Sequence, residues 1–121
     1  MSLSEGHVDT LAISPNNKFI ASGGSENKIL IHDIASGLPV ATFTGHRKRV
    51  KGLAFSPDNL TLVSSSEDHS LRLWHLPTKR ELGVLDTTSR PYYLGFSNDS
   101  RQLIAGGTHP EMKQVWFYPG K

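Results

Sequence analysis

Apolar residues recur along the chain in short, partly alternating runs: VDTLAIS (8–14), ILIHDI (29–34), VKGLAFS (50–56), LRLWHL (71–76) and KQVWFY (113–118). A period of two, with leucine, β-branched and aromatic residues enriched, predicts strands. Between these runs lie SPNN (14–17), ASG (35–37), SPDN (56–59), LPT (76–78) and SNDS (97–100), each carrying the Pro, Gly, Asn or Asp of a turn. No segment keeps helical spacing for ten residues without a breaker. The pattern predicts an all-β chain.

The pattern also repeats. ISPNNKFIAS (13–22) and FSPDNLTLVS (55–64) are offset by 42 positions, as are IHDI (31–34) and LWHL (73–76), and Trp74 recurs as Trp116. FSNDSRQLIAGG (96–107) follows its counterpart after 41. A unit of about 40 to 45 residues with four strands fits a β-propeller blade, a small sheet that buries its faces only by stacking on neighbours. The expected strands are 8–14, 19–24, 29–34 and 39–43, then 50–56, 61–66, 71–76 and 81–85, then 92–97, 102–107 and 113–118. Three blades follow, over about 8–43, 50–85 and 91–118, the third lacking its outer strand. Propellers close with about four to eight blades, so three form an incomplete ring. Further blades or other copies of the chain are expected to close it, and MSLSEG (1–6) could donate an outer strand to a neighbour's third blade.

Composition narrows the alternatives. The chain has 121 residues, room for one modest domain, with 36% hydrophobic and 20% charged residues. No stretch reaches the roughly 20 apolar residues of a membrane helix, and MSLSEGHVDT lacks the basic and apolar parts of a signal peptide. The expectation is a soluble, intracellular chain without membrane contact. There is no cysteine, hence no disulfide framework and no thiolate ligand or nucleophile. The six histidines show no paired ligand spacing, and GGSENK (23–28) lacks the spacing of a phosphate loop, so no metal or cofactor is expected.

The second unit, GHRKRVKGLAFSPDNLTLVSSSEDHSLRLWHL (45–76), resembles the WD-repeat family along its whole length. It carries the Gly-His pair, a three-residue spacer, Phe-Ser-Pro-Asp, a small-residue strand, Asp in a tight turn and a strand ending in Trp. The similarity implies a β-propeller and a non-enzymatic scaffold for protein or peptide partners. It also implies a hydrogen-bonded network inside the blade of His46, Ser64, Asp68 and Trp74. The chemistry is sound in itself, because a buried imidazole, hydroxyl and indole N–H each need a partner. A catalytic Ser-His-Asp arrangement is the competing reading, but no nucleophile elbow or oxyanion glycine loop surrounds Ser64.

The other units depart from the family pattern. In the first, His32 stands at the Trp position and Glu26 at the Asp position, and Gly6-His7 lacks its spacer, so its network is expected to be broken. In the third no Gly-His precedes Pro91, only Thr87 lies near the His position, and THPEM (108–112) lacks the Asp.

The resemblance places the partner surface on the rim shared by the fourth-to-first and second-to-third strand loops. RKRVK (47–51) holds four of the chain's 13 basic residues, putting Arg47, Lys48 and Arg49 on that rim, with Lys28 and Arg90 beside them. Such a run is often only a solvated loop; as a site it suits an acidic peptide or protein. Nucleic acid, RNA above all, is the alternative, although the run lacks interleaved aromatics for base stacking; Tyr92 and Tyr93 are the nearest. The formal charge of +2 does not argue for nucleic acid by itself.

Overall fold

In the computed structural model, which describes residues 6–86, 93–106 and 113–117, the described residues form eleven strands and no helix. The first sheet is β1 (Val8–Ile13), β2 (Phe19–Gly24), β3 (Ile29–Asp33) and β4 (Pro39–Phe43), paired antiparallel in chain order. The second repeats it with β5 (Val50–Phe55), β6 (Thr61–Ser66), β7 (Ser70–His75) and β8 (Arg80–Asp86). The third contains β9 (Tyr93–Phe96), β10 (Gln102–Gly106) and β11 (Lys113–Phe117). These are propeller blades, with observed strand ends within a residue or two of the expected ones. Residues 1–5, 87–92, 107–112 and 118–121 lie outside the description, and with them Thr87, Arg90, Pro91, Tyr92, the turn 108–112 and most of segment 1–6.

The first-to-second strand turns show how sequence becomes structure three times over. Asn17, Asn59 and Ser100 take positive φ (60°, 65° and 63°), a left-handed conformation that asparagine tolerates better than most residues. The serine opening each turn accepts a hydrogen bond from the strand that leaves it: Phe19 N–H to Ser14 at 2.9 Å, Thr61 N–H to Ser56 at 3.0 Å, Gln102 N–H to Ser97 at 2.9 Å. The first two turns are also clipped to the next blade. Asn16 N–H donates to Asn59 Oδ1 at 2.9 Å, and Asp58 N–H donates to Ser100 Oγ at 3.2 Å.

Burial follows from stacking the sheets. Ala21, Ile29, Ile31 and Phe43 of the first blade pack on Val50, Leu53, Phe55, Leu62 and Trp74 of the second, with Phe43 and Trp74 stacked at 4.8 Å between ring centroids. The opposite face of the second blade, Val63, Leu71 and Leu73, packs on Leu103 and Ala105 of the third. The middle strand β6 is buried at every residue, since it has a blade on both sides. Among the described residues the first blade is covered on one side only. Its Leu11 and Ile13 are 52% and 56% exposed, whereas their equivalents Leu53 and Phe55 are each 9% exposed beneath the first blade.

Candidate functional site

The small-residue strand β6 brings Ser64 beneath the loop that leads into β5, and the tight turn after β6 brings Asp68 to the side of it. His46 lies between them. Its Nε2 is 2.7 Å from Ser64 Oγ and its Nδ1 is 3.1 Å from Asp68 Oδ2. Trp74, diagonal to Ser64 on β7, donates its indole N–H to Ser64 Oγ at 2.9 Å. The partners assign the tautomer: Nδ1–H donates to the carboxylate and Nε2 accepts the serine proton. The structure thus brings together all four residues singled out in the second unit.

Asp68 does more than hold the imidazole. Its Oδ2 accepts the Arg47 backbone N–H at 2.9 Å, and its Oδ1 accepts the Ser70 N–H at 3.0 Å and the Ser70 hydroxyl at 2.6 Å. Ser70 is a member of this cluster that sequence reasoning missed; its place two residues after the turn Asp was the available signal. Burial alone would raise the Asp68 pKa, but the hydrogen bonds from Ser70, Arg47 and His46 outweigh it and lower the pKa to about 2. Burial acts the other way on His46, lowering its pKa despite the opposing pull of Asp68. The pair is therefore a carboxylate facing a neutral imidazole at neutral pH. Ser64 is fully buried (0% exposed), with its oxygen engaged by His46 and Trp74 together.

In the first blade, at the positions equivalent to Ser64 and Trp74, Ser22 Oγ and His32 Nδ1 are buried without a hydrogen-bond partner among the described residues, as the substitutions there led one to expect.

The basic rim is partly neutralised. The backbone of the 44–49 loop is fixed at three points: Arg47 N–H to Asp68, Ser66 Oγ–H to the Lys48 carbonyl at 3.0 Å, and Glu67 N–H to the Arg49 carbonyl at 3.0 Å. Arg47 and Lys48 are exposed above it. Arg49, by contrast, reaches across to the first blade and grips Asp9 with two hydrogen bonds, at 2.8 and 3.0 Å. Lys51 stands 3.9 Å from the same carboxylate. These cations hold the Asp9 carboxyl below its usual range, Arg49 foremost. Lys28 pairs with Glu26 at 3.3 Å. A run that reads as four like charges is, in space, two outward cations and a two-blade clasp, because the acid that pairs with Arg49 and Lys51 is Asp9, from distant sequence.

Residues 1–33 and 37–75 match the family described as WD domain, G-beta repeat, which is more than half of the chain. The chain belongs to the WD-repeat family. Among WD-repeat relatives it is 33% identical to Protein FIZZY-RELATED 1 of Arabidopsis thaliana over 112 residues, 88% of this chain and 23% of that protein. It is 45% identical over 98 residues to the uncharacterized WD repeat-containing protein sll1491 of Synechocystis, covering 79% of this chain and 28% of that one. The target of rapamycin complex subunit LST8 of Saccharomyces cerevisiae is 37% identical over 73 residues, 59% of this chain and 24% of its own. A solved structure titled "Structure of U3-55K" superposes with a TM-score of 0.84 at 30% identity, over 95% of this chain and 35% of that chain. The chain spans about a quarter of the length of these curated WD-repeat relatives. Among the described residues no helix is long and apolar enough to cross a membrane.

Proposed function

We propose that these blades act as a non-enzymatic scaffold whose rim takes an acidic protein or peptide at Arg47 and Lys48. The observation that carries this reading is a loop fixed at its backbone by Asp68, Ser66 and Glu67 while two cationic side chains stand free of ion pairs among the described residues. A pre-fixed loop loses little freedom on binding, so its charges can serve specificity. Family membership supports the scaffold class, and the relative named as a target of rapamycin complex subunit is itself part of an assembly. The burial of Ser64 supports bracing over catalysis, since a nucleophile must reach its substrate and this oxygen already has two partners.

The test is fluorescence anisotropy with an oligoglutamate peptide and a single-stranded RNA of equal charge, on wild type and the double variant Arg47→Glu/Lys48→Glu. Peptide binding that the double variant loses is the expected result. RNA binding alone, with a steep salt dependence, would replace this reading by the nucleic-acid one.

We also propose that the exposed flank of the first blade is covered in the working protein by another blade-like sheet. The support is the contrast between Leu11 and Ile13 and their buried equivalents Leu53 and Phe55. That covering sheet comes either from further blades or from a second copy.

A further inference from the structure

The antiparallel blades place the turns 14–18, 34–38 and 76–79 at the end opposite the basic rim. At that end a cavity of about 40 Å³ opens between the first two blades. One wall is Phe19, Ile31, Val40, Ala41 and Phe43 of the first blade; the other is Leu76 and Lys79 of the second. Both walls belong to described blades, so the cavity does not depend on what completes the ring. That space takes about three water-sized probes, and a mostly apolar lining suits a small aliphatic group. Elsewhere on the first blade Ile34 and Leu38 are also exposed, at 37% and 64%.

Two lysines stand near the mouth, one of them partly balanced by a carboxylate. Lys79 is exposed in the β7–β8 turn at a positive φ of 59°, and the Lys18 ammonium lies 5.6 Å from the centre of the Phe19 ring that lines the cavity. Asp33 stands near enough to Lys18 for that lysine to help lower its pKa, after the hydrogen bonds from Ser36, so Lys18 is partly balanced. Lys79 has no ion pair among the described residues. Beside the cavity runs β4, the outer edge of its sheet among the described residues, where an added strand could pair with backbone groups except the Pro39 nitrogen, which has no N–H.

We propose that this inter-blade groove binds an extended segment of a partner polypeptide, seating one aliphatic side chain in the cavity and an adjacent carboxylate on Lys79. An apolar pocket supplies affinity, a single charge selects the flanking residue, and the β4 edge offers main-chain pairing. The groove lies at the opposite end from Arg47 and Lys48, so it stands or falls separately from the rim.

The probe is the peptide acetyl-Glu-Leu-Val-Glu-amide, with acetyl-Lys-Leu-Val-Lys-amide as its charge reversal, titrated into isotopically labelled protein and followed by NMR. The acidic probe is expected to shift the resonances of Val40, Ala41, Leu76 and Lys79. Lys79→Asp, a residue tolerated at positive φ, should weaken the acidic probe about fivefold and favour the basic one. Ala41→Leu, which fills the cavity, should abolish binding while the Trp74 indole resonance stays in place to show that the blades remain folded. Arg47→Glu/Lys48→Glu should leave the titration unchanged. Absence of shifts in folded protein at millimolar peptide, equal affinity in Lys79→Asp, or shifts confined to Arg47 and Lys48 would each overturn the proposal.

Discussion

Asp68 accepts hydrogen bonds from one imidazole, one hydroxyl and two backbone amides, so at the residue scale it is the group whose loss leaves most behind. Replacing it strands the His46 Nδ1–H and the Arg47 N–H, and replacing His46 strands Ser64 and the carboxylate. Unsatisfied buried groups of this kind cost about 1–3 kcal/mol, so His46→Ala and Asp68→Ala are each expected to lower unfolding free energy by that amount in urea titrations. Wild-type stability in both would count against a bracing role. The same residues set a pH dependence. The native fold lowers the pKa of both His46 and Asp68, so in the intervening pH range the unfolded chain binds more protons and stability rises with pH. The His46 contribution is full above its ordinary pKa of 6.5 and is lost as pH falls toward the lower native value. The Asp68 contribution is lost between its ordinary 3.8 and about 2. Denaturation midpoints should therefore fall from pH 7.5 to pH 5.5, and the fall should shrink in His46→Gln, which does not titrate.

At the scale of elements, the blades are held by close approach of small residues and by clasps between equivalent positions. Gly23 on β2 is the tightest such contact with the second blade: an added Cβ would lie 2.7 Å from Val50 Cγ1 and 2.9 Å from its Cβ. Val50 is wholly buried and β-branched, hence stiff about χ1. Gly23→Ala should consequently push the first two blades apart and destabilise by about 1–3 kcal/mol, as overpacking does, with the Phe43–Trp74 stack disturbed and readable in Trp fluorescence. A stability equal to wild type would mean that the blades slide freely on one another. The strand positions and the Ser-Pro-Asn/Asp turns were legible in the sequence because period-two patterning and turn chemistry are local. The Asn16–Asn59 and Asp58–Ser100 clips were not, because their partners lie about one blade apart and only stacking brings them together.

For the molecule as a whole the decisive fact is an unequal pair of faces. In the second blade β5, β6 and β7 are buried or half-buried at every residue, whereas the outer face of the first leaves Leu11 and Ile13 half open to water. If another blade covers it, Ile13→Glu buries a charge against that blade and should lower the melting temperature by several degrees in a protein with a closed ring. Where other copies of the chain provide the cover, the same change should reduce the solution mass in light scattering to a single chain. A charged residue tolerated at position 13, with neither stability nor mass altered, would show that the flank stays open.

By itself the sequence determined the repeat, the strand order within each blade and the four network residues, because pattern, turn chemistry and the Gly-His, Asp and Trp positions of one unit are written consecutively. The broken first-blade network was legible in the same way, from His32 and Glu26. Only the tertiary structure decided which cations face outward, since the acid that claims Arg49 sits a blade away. It alone opened the groove between Ala41 and Leu76, two side chains 35 positions apart that meet only when one sheet stacks on the next. Local patterning fixes what each strand is, and packing between blades fixes what each surface can bind.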